Sequence, residues 1–159
     1  MERSEVEGAE DAEFWELVGR LAGRPELQDD RPYEELTAEL AQGRVERIPE
    51  FAETLAYKLY QLDRRSLAET LIPGEDESGE RLSDDGFLYA RCAVIVAGPA
   101  AFSAVLRDGS VFRHYVTVEA AHAESILDIP SNAYEVLTGN KWDYVEEYDY
   151  ESASNAEWW

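Results

Sequence analysis

Residues 83–98 read SDDGFLYARCAVIVAG. The Ser83 hydroxyl suits a helix N-cap, and Asp84 and Asp85 fall in the first turn, where the positive end of the helix dipole stabilises carboxylates. The residues that follow are apolar on most sides of a helix, a pattern typical of a helix in the middle of a fold. Gly98 and Pro99 then end it. The stretch predicts a central helix against which the other elements pack.

Shorter amphipathic segments flank this helix on both sides. Helical spacing of apolar residues and capping signals predict helices from about Asp11 to Leu21, from an Asp30 N-cap to Gly43, from Ile48 to Leu62, from Leu67 to Ile72, after Pro99, near Val118 to Leu127, and from Pro130 to Gly139. Val111–Val118 is rich in β-branched and aromatic residues, as strands are, but no partner strand exists. We expect an extended connector or irregular turn there.

These segments predict an all-α protein, a single compact domain of about seven helices. Residues 1–11 are expected to form a flexible acidic leader, residues 12–139 the helical domain, and residues 140–159 an acidic, aromatic tail. The composition supports a folded core, because 45% of the residues are hydrophobic.

Charge is the strongest indicator of the partner. Fourteen basic residues stand against 35 acidic ones, for a net charge of -21, and the acids form runs at residues 2–13, 75–85 and 143–159. Such a surface repels nucleic-acid phosphates and anionic lipid and attracts basic proteins or peptides. We expect a basic protein or peptide partner, no direct nucleic-acid binding and no membrane. The runs also fit a solvated surface, or a DNA mimic that competes for a DNA-binding protein.

Cysteine usage and the N-terminal sequence favour a cytoplasmic location. Cys92 is the one cysteine, so no internal disulfide forms. The first residues lack the basic and apolar regions of a signal peptide. The apolar run from Cys92 to Ala97 is far shorter than the ~20 residues of a membrane span.

The segment Leu82–Arg91 resembles the core of a bacterial domain-of-unknown-function family, number 4240 in its series. The family pattern has a Phe-Trp-Glu-Leu-like first helix, a Tyr/Leu-rich helix ending near an Asp, a Ser-Asp-Asp-x-Phe-x-Tyr-x-Arg core, a Gly stop and an Ala-Tyr-x-x-x-Thr-Gly helix end. Here these are Phe14–Leu17, Asp63, Ser83–Arg91, Gly98 and Ala133–Gly139. The chain departs from it at Asp63-Arg64-Arg65 and in the acidic loop 75–80. The resemblance implies an all-helical fold and no reaction, substrate or cofactor.

One constellation, Asp84, Asp85, Tyr89 and Arg91, is a candidate for binding a partner or ligand. Adjacent carboxylates on a helix point roughly 100° apart, so a cation would need further ligands, such as Asp63 or acids of the 75–80 loop. The alternative is a charged helix start paired with a neighbouring arginine.

No catalytic residue, metal-ligand set or cofactor is predicted. His114 and His122 are eight positions apart, outside the i, i+4 spacing of a zinc pair. Cys92 is expected to be a buried, inert thiol.

The tail holds Trp158 and Trp159, two further partner-binding candidates, among its acids. It suits either insertion into a partner's groove or a strap folded onto its own helices.

The expected function is that of a non-enzymatic acidic module that binds a basic protein, in an accessory or neutralising, immunity-like role. A divalent-metal enzyme or small-ligand binder centred on Asp84 and Asp85, and a DNA mimic, are the alternatives.

Overall fold

The all-α class is confirmed. A computed structural model describes residues 11–72 and 81–159, and within them an isolated bridge between Leu71 and Arg81 is the sole β pairing. The predicted acidic leader, apart from Asp11, and the acidic loop at 75–80 lie outside the described residues. No helix in the described ranges combines the length and apolar character needed to cross a membrane.

The helices follow the predicted order along the chain. Their bounds are residues 11–18 for α1, which continues as a 3-10 turn at Gly19–Leu21, then Arg31–Leu40 (α2), Arg47–Gln61 (α3), Arg65–Ala68 (α4), Asp84–Ala97 (α5), Pro99–Arg107 (α6) and Ile129–Thr138 (α7). Three 3-10 helices, Gly109–Tyr115, Ala120–Asp128 and Ala156–Trp158, complete the described elements.

Helix α5 is the central element, as predicted. The Ser83 hydroxyl accepts a hydrogen bond from the Gly86 amide at 3.0 Å and so caps the helix. Every residue from Ala90 to Val96 is buried, and α3, α6 and the 3-10 helix Ala120–Asp128 pack around them. Gly98 ends the helix at a φ of 113°, a conformation that a side chain would strain. Burial against several neighbouring elements therefore explains why the sequence of α5 is apolar on most sides.

Lys58 on α3 is a charged residue inside the core. Its side chain is 4% exposed, and its ammonium lies 3.0 Å from an Asp11 carboxylate oxygen. The same ammonium lies over the rings of Trp15 at 5.0 Å and Phe102 at 5.1 Å. An ion pair and aromatic faces together compensate for the lost hydration of the buried charge, and they join α1, α3 and α6.

Val111–Val118, for which an extended connector or irregular turn was predicted, is helical over most of its length. Residues Gly109–Tyr115 form a 3-10 helix, which begins where the Asp108 carboxylate accepts the Ser110 amide at 3.1 Å. Phe112 and Val116, four positions apart, point into the core. Helical spacing of the buried residues therefore outweighed the strand-like composition, since no strand is available among the described residues to pair with this segment.

Helix α2 begins after Asp30, as predicted, but the Asp30 side chain makes no capping hydrogen bond; Asp29 instead accepts the Arg31 amide at 3.0 Å. The helix predicted from Leu67 to Ile72 is only Arg65–Ala68, because the chain extends beyond it to form the bridge at Leu71.

Residues 140–159, the C-terminal strap, fold back over α3. The Tyr148 ring lies 4.7 Å from the ring of Tyr57 and 5.0 Å from that of Tyr60. Trp142 packs edge-on against Tyr134 of α7 at 5.3 Å. Of the two arrangements that the sequence left open, the structure has the strap folded onto its own helices.

Candidate protein-binding groove

The four-residue constellation predicted on α5 is divided between two faces of the helix. Asp84 and Asp85 are exposed, Tyr89 is half-buried, and Arg91 is completely buried on the side that faces α3. Neither aspartate forms an ion pair with any described residue, so the alternative of a helix start paired with a neighbouring arginine does not apply to them. Asp84 and Asp85 therefore face solvent, whereas Arg91 lies in the interior.

Tyr89 lines a groove between α5 and the segment that follows Tyr115. The groove has a volume of about 420 Å³, within the range of ligand clefts. Most of its wall is apolar, and the wall includes Leu82, Gly86, Tyr89, Tyr115, Val118 and Glu119. Val118 is 88% exposed. We name this feature the α5 groove.

Carboxylates stand around the α5 groove. Glu119 lines it, and Glu124 lies close to the Tyr89 hydroxyl. Glu124 is the main cause that raises the pKa of Tyr89, with smaller contributions from burial and the nearby Asp85 charge. None of the described lining residues is basic. The result is an apolar floor with an acidic rim.

Some of the described surface acids are paired with an arginine. Arg20 pairs with Glu39 at 3.2 Å, Arg31 with Asp29 at 2.8 Å, and Arg65 with Glu69 at 3.0 Å. In the part of the chain that the structure describes, Asp85, Glu119 and Glu124 have no such ion pair. Their charge is therefore available to an incoming cation.

Arg91, the last residue of the predicted constellation, belongs to a polar cluster under the strap. Its guanidinium donates to the Leu59 carbonyl at 3.0 Å and lies over the Phe87 ring at 4.3 Å. Its Nε and Nη2 atoms find no acceptor among the described residues. Burial lowers the pKa of Arg91, and the charge of Asp63 opposes that change. The arginine is thus held by packing and by a nearby carboxylate.

Asp63 is the residue that connects this cluster to the strap. Its buried carboxylate accepts hydrogen bonds from the Ala153 amide at 3.1 Å, the Asn155 amide at 2.9 Å and the Trp159 indole at 2.9 Å. The sequence interpretation gave Asp63 only a family-pattern position and a conditional metal role. Its position at the end of a Tyr/Leu-rich helix was the available signal.

The tryptophans predicted to bind a partner both contact the protein's own helical domain. Trp159 packs edge-on to Phe87 at 6.4 Å, in addition to its hydrogen bond to Asp63. The Trp158 ring lies 3.8 Å from the Arg64 guanidinium, a cation–π contact. Both rings keep a partly exposed face, 46% for Trp158 and 38% for Trp159.

Metal-ligand geometry is missing from the described ranges: no three His, Cys, Asp or Glu side chains there converge on one point. His122 lies 2.9 Å from an Asp30 carboxylate oxygen, and His114 is exposed. Cys92 is fully buried, and burial raises the pKa of its thiol to about 12.

The chain belongs to the family described as "Protein of unknown function (DUF4240)", whose model matches residues 10–136. That span contains α1 to α6, most of α7 and the α5 groove, whereas the C-terminal strap lies beyond it. No curated protein and no solved structure matches the chain.

Proposed function

We propose that this protein is an interaction module that binds a basic protein partner through the α5 groove. The observation that carries the proposal is the apolar groove itself, with Val118 exposed in its wall and the described acids Asp85, Glu119 and Glu124 unpaired around it. An apolar surface that solvent reaches favours a partner that covers it. The uncompensated rim carboxylates favour lysine and arginine on that partner.

The partner segment that suits this groove has an aliphatic or aromatic anchor with basic residues on both sides. The anchor would rest on Val118, Leu82 and the Tyr89 ring, and the basic side chains would reach the rim. The net charge of -21 adds long-range attraction, which speeds the encounter of opposite charges by roughly 10–1000-fold at low salt. An accessory or neutralising role in the cytoplasm is the biological setting that we propose.

A designed peptide tests the groove before the natural partner is identified. The probe is a fluorescent ten-residue peptide in which Arg-Lys pairs alternate with Leu-Phe pairs, and its binding is followed by anisotropy. We expect the double variant Glu119→Lys/Glu124→Lys to lower the association rate by ~10-fold or more at low salt. Val118→Asp should lower the affinity by removing the apolar contact. Substitutions on other faces of the protein should not reproduce either effect.

The matched control is Glu135→Lys, which changes an exposed acid of α7 outside the groove. If Glu135→Lys weakens binding as much as a single reversal at Glu119, the peptide senses only the overall charge and the groove proposal is wrong. A peptide with serine in place of Leu and Phe should bind at least tenfold more weakly. Equal binding of the two peptides would also contradict the proposal.

A natural partner is identified in a second step, and the same variants then decide how it binds. A basic protein captured from the host must lose affinity with Val118→Asp and with rising salt. If that partner is a DNA-binding protein and this chain displaces DNA from it, the module acts as a DNA mimic. Tight binding of bare oligonucleotides to this chain would contradict the electrostatic argument.

A further inference from the structure

The strap covers a stripe that runs along α3 and past its end. Glu53, Tyr57 and Tyr60 recur at helical spacing on α3, Arg64 follows the end of the helix, and the strap meets them in this order. The Glu147 amide donates to the Glu53 carboxylate at 2.9 Å, Tyr148 contacts both tyrosine rings, and Trp158 covers Arg64. The strap is therefore bound as a peptide ligand is bound, by anchors along its length. We name these four residues, together with Asp63, the α3 stripe.

Asp63 makes the α3 stripe dependent on a bound peptide segment. It is fully buried, and its carboxylate oxygens accept three hydrogen bonds, all of them from the strap residues Ala153, Asn155 and Trp159. The Asn155 side chain adds a hydrogen bond to the Tyr60 carbonyl at 2.9 Å. A buried carboxylate without donors is costly, so this site requires a segment that presents backbone amides and an indole.

The strap is joined to the family-matched domain by a short exposed link. Residues 139–141 are all exposed, and Gly139 ends α7 at a φ of 73°. The family match ends at residue 136. The contacts between the strap and the α3 stripe keep the strap on the helical domain. The same contacts form equally well if the strap comes from a second copy of the chain.

Tyr144 is a further anchor of the strap, because its hydroxyl is hydrogen-bonded to Glu53. Burial is the largest cause that raises the pKa of Tyr144 to about 12, and Glu53, Glu146 and Glu147 add to it.

We propose that the α3 stripe also binds the strap of a second copy of this chain, so that two chains exchange straps and form a dimer. Exchange retains every contact of the strap and changes only which chain supplies it, as in other domain-swapped dimers. Because a short link gives the strap a millimolar effective concentration on its own stripe, the exchanged dimer forms mainly at high protein concentration. The α3 stripe shares no lining residue with the α5 groove.

Single cysteines on the two sides of the contact test this proposal in the full chain. In a Cys92→Ala background, one chain carries Tyr57→Cys and the other Tyr148→Cys, at positions whose rings are 4.7 Å apart. The chains are mixed at millimolar concentration, incubated, diluted and treated with a bismaleimide, which links thiols that are too far apart for a disulfide. We expect a crosslinked heterodimer on a denaturing gel. The control mixture, Tyr57→Cys with Val136→Cys on the exposed side of α7, should give at least tenfold less product.

The chain that carries both Tyr57→Cys and Tyr148→Cys shows whether the substituted strap still docks. If that chain forms an internal crosslink at micromolar concentration while the mixture gives no heterodimer above the control, exchange is ruled out.

A peptide measurement keeps the proposal testable if the cysteine chains fail to fold. A labelled peptide of residues 142–159 should bind the full chain carrying Tyr148→Ala and Trp159→Ala at least tenfold more tightly than the wild-type chain, whose own strap competes. Adding Asp63→Asn should abolish the gain. Equal binding to the wild-type and doubly substituted chains would overturn the proposal.

Discussion

The Trp159 indole donates a hydrogen bond to the buried Asp63 carboxylate at 2.9 Å, across 96 positions of sequence. This contact connects the strap, which lies outside the family match, to a residue of the family pattern. It also places a tryptophan predicted to face a partner against the end of α3.

The Asp63 carboxylate should contribute strongly to stability. Asp63→Asn keeps the shape of the side chain but removes the charge and replaces one acceptor oxygen with a donor that faces other donors. We expect a loss of about 1.5–3 kcal/mol in the free energy of unfolding, measured by urea denaturation. Asp143→Asn, at an exposed carboxylate outside any helix, is the control and should change stability by less than about 0.5 kcal/mol. Equal effects of the two substitutions would contradict the role given to Asp63.

Two substitutions at Lys58 should separate the effect of its charge from that of its packing. Lys58→Met keeps an apolar stem in place but loses the contacts of the ammonium with Asp11 and the aromatic rings. We expect it to cost about 2 kcal/mol. Lys58→Ala should cost about 2 kcal/mol more, at about 0.8 kcal/mol for each lost buried methylene. Urea denaturation of the two variants beside the exposed Lys141→Met measures both steps. A Lys58→Met chain as stable as wild type would show that the ion pair and rings contribute no net stability.

Stability is expected to fall at alkaline pH because of buried tyrosines. Burial is the main cause that raises the pKa of Tyr33 and Tyr150 to about 12, against about 10 for tyrosine in an unfolded chain. The folded state therefore holds its phenol protons more tightly, and this stabilisation is complete below pH 10 and lost as the pH rises through 12. Thermal melts from about pH 9 to about pH 12 should show the decline, and Tyr150→Phe should make it shallower. A melting temperature independent of pH in this range would refute the assignment.

The Cys92 thiol should be unreactive in the native protein. Burial raises its pKa to about 12, so almost no thiolate is present near neutral pH, and no surface path reaches the fully buried sulfur. We expect a disulfide reagent to label it only at the rate of unfolding, and immediately in concentrated guanidinium. Asp63→Asn should accelerate labelling by destabilising the fold. Labelling of the native protein within seconds, with no change when stability changes, would contradict this.

Much of the architecture could be predicted because it depends on local signals. Ser83 caps α5 as its sequence predicts, Pro99 starts α6, and Gly139 ends α7. The errors occurred where a distant contact decided the conformation. The bridge to Arg81 shortened α4, and burial of Phe112 and Val116 imposed a 3-10 helix on residues with high strand propensity.

The candidate site was predictable only in part. Tyr89 was selected and lines the α5 groove, but Glu119, Glu124 and Val118 were not, because they come from a separate segment that only the fold brings to α5. Arg91 was selected as part of the same constellation as Asp84 and Asp85 and instead points into the interior. Because α5 has apolar residues on most sides, its sequence alone does not show which side packs against α3.

By itself, the sequence determined the helical class, the central position of α5 and the acidic surface, because apolar periodicity, capping residues and net charge act locally or additively. Only the tertiary structure decided that Asp63 would bind the strap, that Arg91 would be buried, and that Tyr89 would share a groove with Val118. Those relationships depend on the close approach of segments distant in sequence, where burial and the need to satisfy buried polar groups select one arrangement among many.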